Sequence, residues 1–250
     1  SRLSKRKGIF MQIFPAIDLI DGQAVRLVRG DYEQKTVYGA EPVVTAQRFC
    51  AAGATALHVV DLDGAKSGAA DNFRTVCELI EQSGMDIEIG GGIRDLNMVE
   101  TYLSAGAWRV ILGSAAVDDP EFLQKALETY GEKIAVGVDV KNGRVMTHGW
   151  LDDGGVSCEE FCAKLESLGA GAVICTDISR DGMLGGTNLE LYRKLTKEFP
   201  KLSFVASGGV STDSDIETLK TIGLGGAIVG KALYTGALDL ARAISIAKED

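Results

Sequence analysis

Histidine and proline are scarce in this chain, with two and four copies among 250 residues. Several familiar chemistries are missing with them. There is no HExxH pair, no Ser–His–Asp set, no Walker motif and no dinucleotide fingerprint, so neither a metal nor a nucleotide cofactor is called for. No Pro- or Ser-rich stretch divides the sequence, and it is taken as one domain. No apolar run approaches the roughly 20 residues that a membrane-spanning helix needs. The cysteines, Cys50, Cys77, Cys158, Cys162 and Cys175, are odd in number and fit no metal-ligand spacing. Cys158 and Cys162 lie one helical turn apart without the second pair a metal site requires, so a structural role and a reduced cytoplasmic setting are expected. Positive charge is short as well. A formal net charge of −9 argues against non-specific binding to nucleic acid or to an anionic membrane.

What is present is a repeat. Ala16-Ile17-Asp18-Leu19-Ile20-Asp21-Gly22 is echoed half a chain later by Gly137-Val138-Asp139-Val140-Lys141-Asn142-Gly143. Val60-Asp61 returns as Thr176-Asp177, Gly91-Gly92-Ile93 as Gly208-Gly209-Val210, and Leu112-Gly113-Ser114 as Val229-Gly230-Lys231. A doubled unit of this size is too long for a solenoid repeat and points to two fused half-domains.

Short apolar runs alternate with helical periods from end to end. Expected strands are 13–18, 56–60, 87–89, 110–113, 134–139, 172–176, 203–206 and 227–229. Such nearly continuous runs suit a parallel sheet covered on both faces. Phe73, Val76, Cys77 and Ile80 fall at helical spacing, as do Phe161, Leu165 and Leu168, and Ile216, Leu219 and Ile222. Eight strands with intervening helices in this length predict an α/β fold, a single (β/α)8 TIM barrel over 11–250 built from two similar half-barrels. The long connections 19–41 and 141–156 carry Asp21-Gly22 and Asn142-Gly143 turn signals and predict small hairpins. Ser1 to Phe10 hold Arg2, Lys5, Arg6 and Lys7 but no acid or apolar stretch. That segment is expected to be a leader, tag remnant or upstream start rather than a signal peptide.

Glycine pairs at strand ends let backbone N–H groups approach an anion closely, and a following helix adds positive potential. One such pair can be a plain turn. Here Gly91 and Gly92 are joined by Gly113 and Ser114, and Gly208 and Gly209 by Gly230 and Lys231, predicting two phosphate cradles, with Arg94 beside the first. Asp18 and Asp139, expected to end strands on opposite sides of the barrel mouth, become candidate base and acid. Asp181, on a glycine-containing loop, is a third candidate, with Thr176 as an orienting partner. Asp61 and Asp63 are expected to serve their own loop. His58 and Trp108 are expected to be structural. Trp150, after His148-Gly149, is a candidate to stack on a planar ring, and Arg26 a candidate to reach a phosphate or carboxamide.

Taken together, Phe14–Gly22, Leu57–Ala65, Gly90–Arg94, Gly149-Trp150, Thr176–Gly182, Ala206–Val210 and Val229–Tyr234 resemble the phosphoribosylformimino-5-aminoimidazole carboxamide ribotide isomerases of histidine biosynthesis. The resemblance runs from about Met11 to the C-terminus. It implies a cofactor-free Amadori rearrangement, aldose to ketose, on a substrate phosphorylated at both ends. It also implies Asp18 as proton acceptor and Asp139 as donor, with Asp181 a rival donor. Ala40-Glu41-Pro42 departs from the family's acidic pair before proline, and a local capping effect is expected there. The sister cyclase family differs at Ala16-Ile17-Asp18 and Arg26. Relatives that also accept phosphoribosylanthranilate carry arginine where His148 stands. A non-catalytic phosphosugar-binding barrel is the alternative of a different class, and a monomer is the expected state.

Overall fold

The computed structural model describes residues 10–28, 31–37 and 41–249, of which 26–28 and 31–35 are described as backbone only. The 1–9 part of the expected leader, and Ala40, lie outside the described residues.

Eight parallel strands close into a barrel: β1 (Gln12–Ile20), β4 (Ala56–Asp61), β5 (Asp86–Gly90), β6 (Arg109–Leu112), β7 (Ile134–Lys141), β10 (Ala172–Asp177), β11 (Ser203–Ser207) and β12 (Gly226–Val229). They pair in that order, and β12 pairs back with β1. Two antiparallel hairpins leave this ring. One is β2 (Gln23–Val28) with β3 (Asp31–Val37), extending β1; the other is β8 (Arg144–Thr147) with β9 (Asp152–Ser157), extending β7.

Helices wrap the outside. They are α1 (Pro42–Ala51), α2 (Leu62–Ser67), α3 (Phe73–Gln82), α4 (Leu96–Ser104), α5 (Ser114–Asp118), α6 (Pro120–Tyr130), α7 (Cys158–Ser167), α8 (Leu189–Glu198), α9 (Asp213–Ile222), α10 (Lys231–Thr235) and α11 (Leu240–Lys248). The short α2, α5 and α10 start directly after β4, β6 and β12. They are too brief to show an apolar period, which is why the sequence pattern does not reveal them.

Successive strand residues face alternately into the barrel and out toward the helices. Phe14, Ala16, Ile111, Ala135, Ile174 and Ile228 belong to a small inner cluster, while Ile13, Ile17, Leu57, Val59, Ile87 and Ile89 join the larger layer under the helices. A fully buried Leu or Ile side chain contributes about 1.5–3 kcal/mol, so this second layer holds the ring together. Cys158, Cys162 and Cys175 are buried within it. Ser157 and Thr212 close capping boxes at the starts of α7 and α9.

Asp18 and Asp139 do not end their strands as expected; β1 and β7 run two residues further. Asp21 and Gly22 take φ of 51° and 71°, and Asn142 and Gly143 take 52° and 76°. These left-handed pairs make tight turns whose twist matches a hairpin, so each strand gains an antiparallel partner beyond its aspartate. At Glu41 the expected capping effect is not seen. Its side chain makes no capping hydrogen bond, and Pro42 opens α1 instead.

Candidate active site

One cavity of about 540 Å³ occupies the mouth of the barrel at the strand C-terminal ends. Asp18, Asp139, Asp181, Thr176 and Trp150 line it, together with both glycine pairs. Arg94, Gly113, Ser114, Gly230 and Lys231 complete its wall. Of the expected site residues only Arg26 is missing from this gathering, and its side chain lies outside the described residues. β1 and β7 stand four strands apart in a ring of eight, so the two aspartates face one another across the mouth.

The glycines are where backbone must pass close to backbone. Gly91 and Gly92 have φ of 110° and 73°, and a Cβ would sit 2.1 Å from the Asp61 carbonyl oxygen and 1.9 Å from that of Gly64. Gly208 and Gly209 have φ of 85° and 79°, with the Asp177 and Gly186 carbonyl oxygens at 2.8 and 2.5 Å from a Cβ. The two pairs therefore meet equivalent loops. Those loops are braced alike: Asn72 Nδ2 donates to Asp61 and Asn188 Nδ2 donates to Asp177, each at 2.7 Å. Asp61 also accepts from the Gly64 and Asn72 N–H groups, and Asp63 accepts from Asp21 N. Asp61 serves its own loop, as the sequence suggested, whereas Asp63 ties that loop to the β1–β2 turn and to Asn72.

Asp139 is a perturbed carboxylate in the cavity wall. Desolvation in the barrel wall pushes its carboxyl up, and the nearby Asp181 charge adds to this. Hydrogen bonds from the side chains of Trp150 and Thr176 and the field of His58 pull the other way, without overcoming the rise. Trp150 Nε1 donates to Asp139 Oδ2 at 2.7 Å. The ring expected to stack on a ligand is thus engaged with a carboxylate at its polar edge. Thr176 is the register partner of Asp139 on β10.

The loop that carries Trp150 is pinned on both sides. His148 N–H donates to Ser114 Oγ at 2.8 Å, and the His148 ring lies 3.1 Å from Asp118 and 3.0 Å from Asp152. His148 and Trp150 both sit at positive φ, 54° and 72°, an uncommon backbone for such side chains that the surrounding bonds maintain. Opposite, Lys231 Nζ donates to Gly182 O at 2.9 Å and so ties α10 to the loop bearing Asp181.

Across residues 12–239 the sequence matches the family model described as histidine biosynthesis protein. The chain belongs to this family. It is similar to the 1-(5-phosphoribosyl)-5-((5-phosphoribosylamino)methylideneamino) imidazole-4-carboxamide isomerase of Listeria monocytogenes, at 48% identity over 236 residues covering 94% of this chain and 98% of that one. It is 49% identical to the protein of the same name from Ruminiclostridium cellulolyticum, over 94% and 99% of the two chains. With its counterpart in Oceanobacillus iheyensis it shares 46% identity over 92% and 95%.

One residue expected to be structural stands in the cavity wall. His58 lines the cavity, and its Nδ1 lies 2.7 Å from Oε1 of the wholly buried Glu88. Arg109 Nε donates to the other Glu88 oxygen at 3.0 Å, and its Nη2 bonds the same atom. Burial alone would raise Glu88; the His58 bond and charge, then Arg109, outweigh it and hold the carboxyl below its usual range. The Arg109 guanidinium lies 4.5 Å from the centre of the Trp108 ring, which makes Trp108 structural as expected. His58, Glu88 and Arg109 are register neighbours on β4, β5 and β6, a relation that only strand pairing creates.

Proposed function

We propose that this chain is the isomerase of histidine biosynthesis that converts a bisphosphorylated aminoimidazole carboxamide aldose to its ketose by an Amadori rearrangement. The observation that carries the proposal is a cavity at the barrel mouth in which two acids on opposite strands lie between two matching glycine pairs. A substrate held at both ends keeps its central sugar carbons over the acids, and such positioning lowers the barrier. The relatives' names carry two phosphoribosyl groups, in agreement with two cradles.

In this mechanism Asp139, neutral at the start, protonates the ribose ring oxygen. The C1′–O bond breaks and a Schiff base forms between C1′ and the amine nitrogen. Asp18 then removes the C2′ proton, and the electron pair moves to give an enolamine. Loss of the C2′ hydroxyl proton and protonation at C1′ yield the ketone. A donor working near neutral pH needs a raised carboxyl, and that of Asp139 is raised. Asp181 is the neighbouring anion that helps raise it. Trp150 and Thr176 orient Asp139, and the chemistry requires no cofactor. The protein acts as a monomer.

The test is cofactor-free turnover of the bisphosphorylated aldose, with the cyclase partner present to consume product. Wild-type turnover that falls at least 100-fold in Asp18→Asn supports the assignment. A folded wild type that binds the aldose without turning it over would overturn it and leave a phosphosugar-binding barrel. Among the donors, Asp139→Asn should lose far more kcat than Asp181→Asn.

A further inference from the structure

Below the two aspartates the barrel interior departs from its apolar lining. His58, Glu88 and Arg109 form a connected row across β4, β5 and β6. Burying Glu88 and Arg109 in a barrel is costly unless each is paired, and here the pairing has a direction. Arg109 engages one Glu88 oxygen and keeps the carboxylate charged, so the other oxygen can only accept. His58 Nδ1 is therefore the donor, which leaves Nε2 as the nitrogen available to the cavity that the ring lines. A second-row carboxylate that fixes a histidine tautomer also stabilises the cation formed when Nε2 takes a proton.

The position of the ring matches an unassigned proton. In the mechanism above, on which this inference rests, Asp139 and Asp18 account for the ring oxygen and the C2′ hydrogen, while the C2′ hydroxyl must still lose its proton. His58 is the register partner of Ala16, which precedes Asp18 by two residues on the same face of β1. We propose that His58 is a catalytic residue whose Nε2 accepts the C2′ hydroxyl proton as the enolamine collapses. The O–H pair becomes the second bond of the C2′ carbonyl, and the C1′=C2′ pair takes up at C1′ the proton that Asp18 had removed. Asp139 has meanwhile given its proton to the ring oxygen. Return of the His58 proton to Asp139 restores every group, so the isomerisation is proton-neutral. Glu88 and Arg109 are positioning residues for this step.

The deciding variant is His58→Asn. Its amide can donate to Glu88 as Nδ1 does, but nothing remains where Nε2 stood. We expect unchanged thermal unfolding, a KM within about threefold of wild type and a kcat lower by about 100-fold. His58→Gln, made in parallel, reaches toward the cavity but cannot carry a proton, and should lose kcat equally; it decides the matter if His58→Asn does not fold. Either folded variant retaining kcat within about threefold of wild type overturns the proposal. On the wild type itself, nitrogen NMR should show Nδ1 protonated and Nε2 shifting when the bisphosphorylated aldose–ketose mixture is added. An unperturbed Nε2 overturns it as well. Absence of turnover by the wild type in the same assay would instead refute the isomerase reading.

Discussion

At Asp139 the barrel wall withholds water from a carboxylate that Trp150 and Thr176 then bond. Its folded-state carboxyl is raised, so any stabilisation it gives is present at low pH and is lost as pH rises through the folded value. Asp139→Asn should therefore unfold at a higher temperature than wild type at pH 7, with the gap closing below the ordinary carboxylate range, while kcat falls by 100-fold or more. Calorimetry across pH beside the turnover assay checks both. Glu88 has the opposite sign. Its carboxyl is lowered, so its contribution holds above the unfolded value and is lost as pH falls through the folded one. Glu88→Gln leaves the Arg109 charge uncompensated and should cost about 3–5 kcal/mol by urea unfolding. Asp18, Asp139 and Thr176, which line the cavity, sit in local, repeated motifs of the sequence, and Asp181, which lines it too, sits in a glycine-containing loop. The His58 pairing was not legible there, since Glu88 lies 30 residues from His58 and Arg109 a further 21 along.

The glycines separate two roles that the sequence showed alike. At Gly91 a Cβ would strike the Asp61 carbonyl oxygen at 2.1 Å with φ at 110°. Gly91→Ala should thus fold poorly, losing several kcal/mol as the strand-end loop is forced away from β4. Gly113 has no atom within 4 Å of a Cβ position and a negative φ of −98°. Gly113→Ala should keep its stability within about 1 kcal/mol yet raise KM, because the methyl group enters the proposed phosphate cradle. Thermal unfolding and steady-state kinetics of the two variants distinguish backbone approach from ligand contact. The hairpins were legible through their Asp-Gly and Asn-Gly turns. What they do was not, for the β8–β9 hairpin places Trp150 on Asp139 through bonds from His148 to Ser114, Asp118 and Asp152.

Over the whole molecule, the two glycine pairs belong to different halves of the ring, so under the proposed function a ligand phosphorylated at both ends would bridge them. Binding to the folded state alone stabilises by about 2.7 kcal/mol at 100 times Kd. The bisphosphorylated ligand should raise the unfolding temperature at concentrations where ribose 5-phosphate, filling one cradle, leaves it nearly unchanged. Equal shifts would contradict two cooperating sites. The sequence by itself determined the alternation of strand and helix, the repeat, and the residue types at the strand ends, since apolar periodicity and turn chemistry act over neighbours in the chain. Only the tertiary structure decided that β12 meets β1 and that β7 meets β10. Closure of the ring is what gathers eight strand ends around one cavity, buries Glu88 between His58 and Arg109, and withdraws Asp139 from water. Those effects depend on distance and desolvation between segments far apart in sequence, which no local pattern records.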